Sequence, residues 1–138
     1  MPVLTVKHEG GMASRLSVRG HQVIADVPPQ MGGQDRGPTP VELLAGALGT
    51  CVAVYVARWC KEAGLPHEGF EVEVDYVHDL DAHCVPVLNV KLTMPEDFPE
   101  ARRQALLRVA EQCTVHNTLC RMPQIEVEVA QAAPRAAG

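Results

Sequence analysis

Five cysteines punctuate the chain, at positions 51, 60, 84, 113 and 120. A thiolate can attack a peroxide, exchange with a disulfide or ligate a metal. Two of the five stand in informative surroundings. Cys51 lies in the middle of "GPTPVELLAGALGTCVAVYVARWCKEAG", a run that is almost wholly apolar for its first two-thirds. Read from position alone, it is either a small buried hydrophobe or a reactive thiol held in an apolar setting. Cys113 lies in "EQCTVHNTL", beside His116 and Asn117. A helix break there would set its sulfur against the unpaired N–H groups of a new helix start, which favour a thiolate. Cys60 follows Trp59 and reads as packing, while Cys84, in "DAHCVP", reads as a surface thiol. Cys113, His116 and Cys120 also form C-x2-H-x3-C, a set of zinc-ligand types that His83 and Cys84 could complete. The tight Cys-x-x-Cys knuckle usual in structural zinc sites is absent. No Gly-rich phosphate loop, H-E-x-x-H or G-x-S-x-G occurs. His8, His21, His67 and His78 have no evident partner and read as surface residues.

The elements that must position these thiols are legible. Thr39 suits an N-cap, Pro40 the first helical position and Glu42 the carboxylate of a capping box. Gly64 is a natural stop, followed by Pro66. The predicted helix would run about 36 Å. Its uninterrupted apolar part, Leu43 to Ala57, is about 15 residues, short of the ~20 of a membrane span. A helix apolar on nearly every side otherwise lies at the centre of a globule or of a dimer. Upstream, "VLTVKHEGG", "SRLSVRG" and "HQVIADV" read as short strands between Gly turns. Downstream, "GFEVEVDYVHD" alternates, with Phe70, Val72, Val74 and Tyr76 on one face. "VLNVKLTM" and "QIEVEV" repeat that pattern and read as half-buried strands. Between them, Pro99 suits a helix start, and Ala105, Leu106, Val109 and Ala110 form a stripe. Thr114, Val115 and Thr118 are weak helix formers, so continuity past Cys113 is doubtful. The expected fold is α+β, an antiparallel-rich sheet packed on two main helices.

With 138 residues the chain has the size of one compact domain, expected over 1–130, with "AQAAPRAAG" suggesting a disordered tail over 131–138. Aromatic residues make up 4%, so Val, Leu and Ala must build the core. A net charge of -5 without a basic run argues against nucleic acid or anionic lipid as a partner. The N-terminus "MPVLTVKHEGG" lacks the features of a secretory signal, so a reducing cytoplasm is expected and the cysteines are read as thiols.

"GPTPVELLAGALGTC" followed by "EQCTVHNTL" resembles the OsmC/Ohr family of thiol peroxidases, and the strand–helix order agrees over nearly all of 1–130. "GGQDRGPTPVELLAGALGTCVA" is similar to the version found in the broader OsmC-like branch. The resemblance implies an OsmC-like intertwined homodimer, with long helices at its centre and a site at the subunit interface. It also implies roles. Cys51 would be the peroxidatic thiol, attacking an organic hydroperoxide and becoming a sulfenic acid. Cys113 would resolve it as a disulfide, and a dithiol reductant would restore both. No metal, haem, flavin or other cofactor is needed.

The chain departs from the family pattern at informative places. Family peroxidases stabilise the thiolate with an Arg held by a carboxylate that directly follows the Pro of the helix start. Here that position is Val41, and Glu42 is the next residue. Arg15 and Arg36 are the candidate thiolate-stabilising guanidiniums, with Glu42 the candidate carboxylate. Thr114 replaces a Pro that often follows the resolving cysteine, and His116 is a candidate proton acceptor. The missing carboxylate keeps open an alternative function, a non-catalytic OsmC-like protein that binds a small or lipid-like ligand.

Overall fold

The computed structural model describes residues 3–135. Three short strands open the chain: β1 (Thr5–His8), β2 (Ser14–Val18) and β3 (His21–Ala25). They form an antiparallel sheet in the order β1-β2-β3, with Lys7 opposite Arg15 and Arg15 opposite Ile24. The "GGQDRGP" loop then returns along β3. Its geometry depends on two glycines, because a Cβ on Gly33 would sit 2.0 Å from the Val27 carbonyl oxygen and one on Gly37 1.9 Å from that of Ile24. Asp26 is buried beneath this loop and accepts from the backbone N–H of Val27, Gln34 and Arg36. Those donors, Val27 first, hold its carboxyl below the usual Asp range against the opposing effect of burial.

The long helix α1 spans Pro40–Ala63. The capping box forms as its sequence dictates: the Thr39 hydroxyl accepts from Glu42 N–H, and the Glu42 carboxylate accepts from Thr39 N–H. Gly64 ends the helix in the left-handed conformation, at φ 66°. Helical spacing places Leu48, Val52, Val56 and Cys60 on the buried face, where Leu106 and Cys113 complete the core. By length and composition α1 could cross a membrane. In the structure it packs instead against β4 (Glu71–Asp79), α2 (Arg103–Glu111) and α3 (Thr114–Cys120). Gly49 permits the close approach to β4, since a Cβ there would meet Val74 Cγ2 at 3.1 Å.

β4 pairs with β5 (Cys84–Thr93) as a separate two-stranded antiparallel sheet. Its alternation is the one read in the sequence: Val72, Val74 and Tyr76 are half-buried, and Glu71, Glu73 and Asp75 exposed. The architecture is therefore α+β, with two antiparallel sheets rather than one. The second helical stretch breaks at Cys113, just before the β-branched residues that made its continuity doubtful, and those residues are themselves helical in α3. α2 ends at Glu111, Gln112 and Cys113 turn the chain, and α3 restarts at Thr114. A 3-10 turn, Glu100–Arg102, follows Pro99 and leads into α2.

One element differs from expectation. Residues 123–135 run with no helix or strand assignment and no partner strand within the described chain. Ile125, Val127 and Val129 are 78%, 88% and 98% exposed, not half-buried. Of the expected tail, 131–135 continue this exposed segment, and 136–138 lie outside the described residues.

Candidate active site

α1 carries Cys51 half-buried at mid-length, on the side that meets α3. Cys113 is the N-cap of α3 and is fully buried. Its backbone, at φ -66° and ψ 150°, is that of an ordinary N-cap, and its sulfur takes the part usually played by a Ser or Asp oxygen. It accepts from His116 N–H at 3.3 Å. Cys51 Sγ accepts from Val115 N–H, in the same turn, at 3.5 Å. Both are free thiols. Cys51 and Cys113, remote in sequence, thus share the first turn of α3.

Burial pushes the Cys113 thiol above its ordinary range; the His116 N–H opposes this, and the neighbouring Cys51 adds to it. Further bonds fasten the junction. Asn117 donates its backbone N–H to the Cys113 carbonyl at 3.0 Å and its side-chain N–H to the Gln112 carbonyl at 3.1 Å. The Tyr55 hydroxyl and the Thr114 hydroxyl lie 2.8 Å apart. A groove of about 730 Å³, lined by neither Cys51 nor Cys113, lies between α1, β5 and α2. Leu48, Val52, Leu92 and Leu106 form its apolar wall, and His116 reaches its lining from α3.

The candidate charged groups gather elsewhere in the chain. Arg15 donates through both Nε and Nη2 to the Glu9 carboxylate, and Arg36 Nη2 approaches the same carboxylate at 3.8 Å. Arg15, foremost, holds Glu9 below the usual carboxylate range. Glu42 is committed to the Thr39 cap. Among the described residues no guanidinium hydrogen-bonds Cys51, and no three His, Cys, Asp or Glu side chains gather as a metal-ligand set. Cys113 and Cys120 stand at opposite ends of α3, so the C-x2-H-x3-C spacing does not fold into a knuckle. Cys60 is core, and Cys84 and Cys120 are exposed.

Sequence reasoning missed Tyr55, Thr114 and Glu9 as partners. Tyr55 could have been found from its place one helical turn beyond Cys51. Glu9 could have been found from the tight turn that joins β1 to β2 next to Arg15.

Comparison with known proteins bears on the fold that carries these residues. The chain is similar in fold to a Psychrobacter arcticus protein described as an osmotic stress induced and detoxification response protein. Their TM-score is 0.79 at 19% identity, over 86% of this chain and 88% of that one. An OsmC like protein from Mycoplasma pneumoniae gives 0.76 at 15% identity, over 88% and 89%. The organic hydroperoxide resistance protein OhrB of Bacillus subtilis gives 0.57 at 20% identity, over 88% and 92%. A comparison with curated proteins returns no match. The OsmC-like protein family model matches residues 32–128, a stretch that holds both the α1 thiol and the α3 thiol. With the matched segment covering most of the chain and the fold agreeing, the chain belongs to the OsmC-like protein family.

Proposed function

We propose that the chain is a thiol-dependent peroxidase that reduces organic hydroperoxides to alcohols. The observation that carries this reading is the meeting of Cys51 and Cys113 on one helical turn, with a backbone N–H aimed at each sulfur. The Cys51 thiolate attacks the distal oxygen of ROOH. The O–O bond breaks, the alkoxide takes a proton and leaves as ROH, and Cys51 becomes a sulfenic acid. The Cys113 thiolate then attacks the Cys51 sulfur. The S–S bond forms, the S–O bond breaks, and hydroxide takes a proton to leave as water. A dithiol reductant of the cytoplasm returns both thiols by exchange. His116, which lines the groove and whose N–H meets the Cys113 sulfur, is the proposed proton acceptor. The groove's apolar wall favours bulky apolar peroxides over hydrogen peroxide.

Arg15 and Arg36 are the proposed sources of positive charge for the Cys51 thiolate. The proposed assembly is a homodimer in which the β1–β3 sheet of one subunit reaches the thiol pair of the other. Ile125, Val127 and Val129, which share one exposed apolar face, support a second copy as their cover. Thiol counting after about one equivalent of cumene hydroperoxide tests the activity. Rapid loss of two thiols in the native chain, absent in Cys51→Ser, is the expected result.

The groove also favours a second reading, a non-catalytic protein that holds a small apolar or lipid-like ligand there. Thiols inert to hydroperoxide for minutes, with an apolar ligand retained through purification, would select it.

A further inference from the structure

Cys113 can face Cys51 only while the first turn of α3 is pressed onto α1. α3 is seven residues long and contains no fully buried side chain, so apolar contact alone anchors it weakly. Besides the Val115 N–H to Cys51 contact, the hydrogen bond tying α1 to α3 among the described residues joins the Tyr55 and Thr114 hydroxyls, at 2.8 Å. Its placement is specific. Tyr55 stands one helical turn beyond Cys51, and Thr114 directly follows Cys113, so the tie lies next to each sulfur along its own element. The Tyr55 ring is braced in turn, with the Arg58 guanidinium 5.8 Å from its centroid. Thr114 is anchored from the other side, its carbonyl accepting from the Thr118 hydroxyl at 2.8 Å.

We propose that Tyr55 and Thr114 are positioning residues for disulfide formation, their hydrogen bond holding the Cys113 sulfur against Cys51 once Cys51 has become a sulfenic acid. The inference rests on the two-thiol reading above. Neither Tyr55 nor Thr114 lines the groove between α1, β5 and α2. Without the tie, the first turn of α3 spends less time in attacking geometry, and the sulfenic acid persists long enough to meet a second peroxide and become sulfinic acid.

Single-turnover oxidation with cumene hydroperoxide tests this in the native chain, Tyr55→Phe, Thr114→Val, Thr114→Ser and the Tyr55→Phe/Thr114→Val double variant. A sulfenic-acid trap and mass spectrometry follow the intermediate. Each loss of a hydroxyl should lengthen the sulfenic-acid lifetime about fivefold, the scale of one net hydrogen bond. Thr114→Ser should keep the native lifetime, and the double variant should be no slower than either single one. Native lifetimes in Tyr55→Phe and Thr114→Val, or strictly multiplicative effects in the double variant, would overturn the proposal. Equilibration of the Cys51–Cys113 pair with dithiothreitol separates this from failure of the peroxidase reading. If hydroperoxide leaves the native thiols untouched, the pair's effective concentration should still fall about fivefold in Tyr55→Phe. Equal values in the two proteins would overturn the tie on its own account.

Discussion

Cys113 caps a helix in the fold and, in the proposed cycle, also resolves the sulfenic acid. Its sulfur caps α3, which fixes where it points, and its burial keeps it protonated beyond the ordinary thiol range. Attack on a sulfenic acid requires the thiolate, so the rate of disulfide formation should climb from pH 7 through pH 9 and beyond. Stopped-flow measurement across that range checks it. The same burial sets a stability trend. Cys60 and Cys113 hold their protons in the folded chain to higher pH than in the unfolded one. Their contribution is complete below the unfolded thiol range and is lost as pH rises through the raised folded values. Chemical denaturation of the reduced protein should therefore show falling stability above about pH 9, with a shallower fall in Cys60→Ala. The charged candidates part on their contacts. Glu42 is bonded to Thr39 and Arg15 to Glu9. Arg15→Gln should slow Cys51 oxidation tenfold or more, the scale of a charge-assisted bond. Glu42→Ala should leave that rate near native and cost about 1 kcal/mol of stability through the cap. Peroxide kinetics and melting of both variants make the comparison.

At the scale of elements, what the sequence disclosed depended on how local its cause was. Thr39, Pro40, Glu42 and Gly64 announce both ends of α1 because capping is settled within a few residues. The α2–α3 break at Gln112 and Cys113 is also local, and the low helix propensity of Thr114 and Val115 just after it hinted at its place. The meeting of Cys51 with Cys113 was reached through family resemblance, since no local pattern dictates where α3 docks. The Tyr55–Thr114 bond spans 59 residues and left no trace in periodicity. Nor did the two-sheet division, because alternation marks which face of a strand is apolar and not which strand lies beside it. The loop after β3 is an intermediate case. Its composition marked it as a loop, but the need for glycine at 37 emerges only from the Ile24 carbonyl pressed against it. Gly37→Ala should cost about 2 kcal/mol or more, because a backbone oxygen cannot rotate away. Denaturant titration reads that loss.

Across the whole molecule, the least settled part of the single chain is its end. "QIEVEV" carries a strand's alternation, yet Ile125, Val127 and Val129 stand exposed and unpaired. The pattern reports that a face needs covering, and within the described chain nothing covers it. On the proposed dimer, light scattering should give twice the 14.9 kDa chain mass. A chain ending at Pro123 should fall toward the single mass or lose solubility, and an unchanged dimer would place the interface elsewhere. In the proposed cycle the two sulfurs react as a pair, and peptide mapping after one equivalent of organic hydroperoxide reads that directly. The expected product is a disulfide joining the Cys51 peptide to the Cys113 peptide, formed within seconds and removed by dithiothreitol. Intact thiols at both positions, or a disulfide that instead engages Cys60, Cys84 or Cys120, would contradict it.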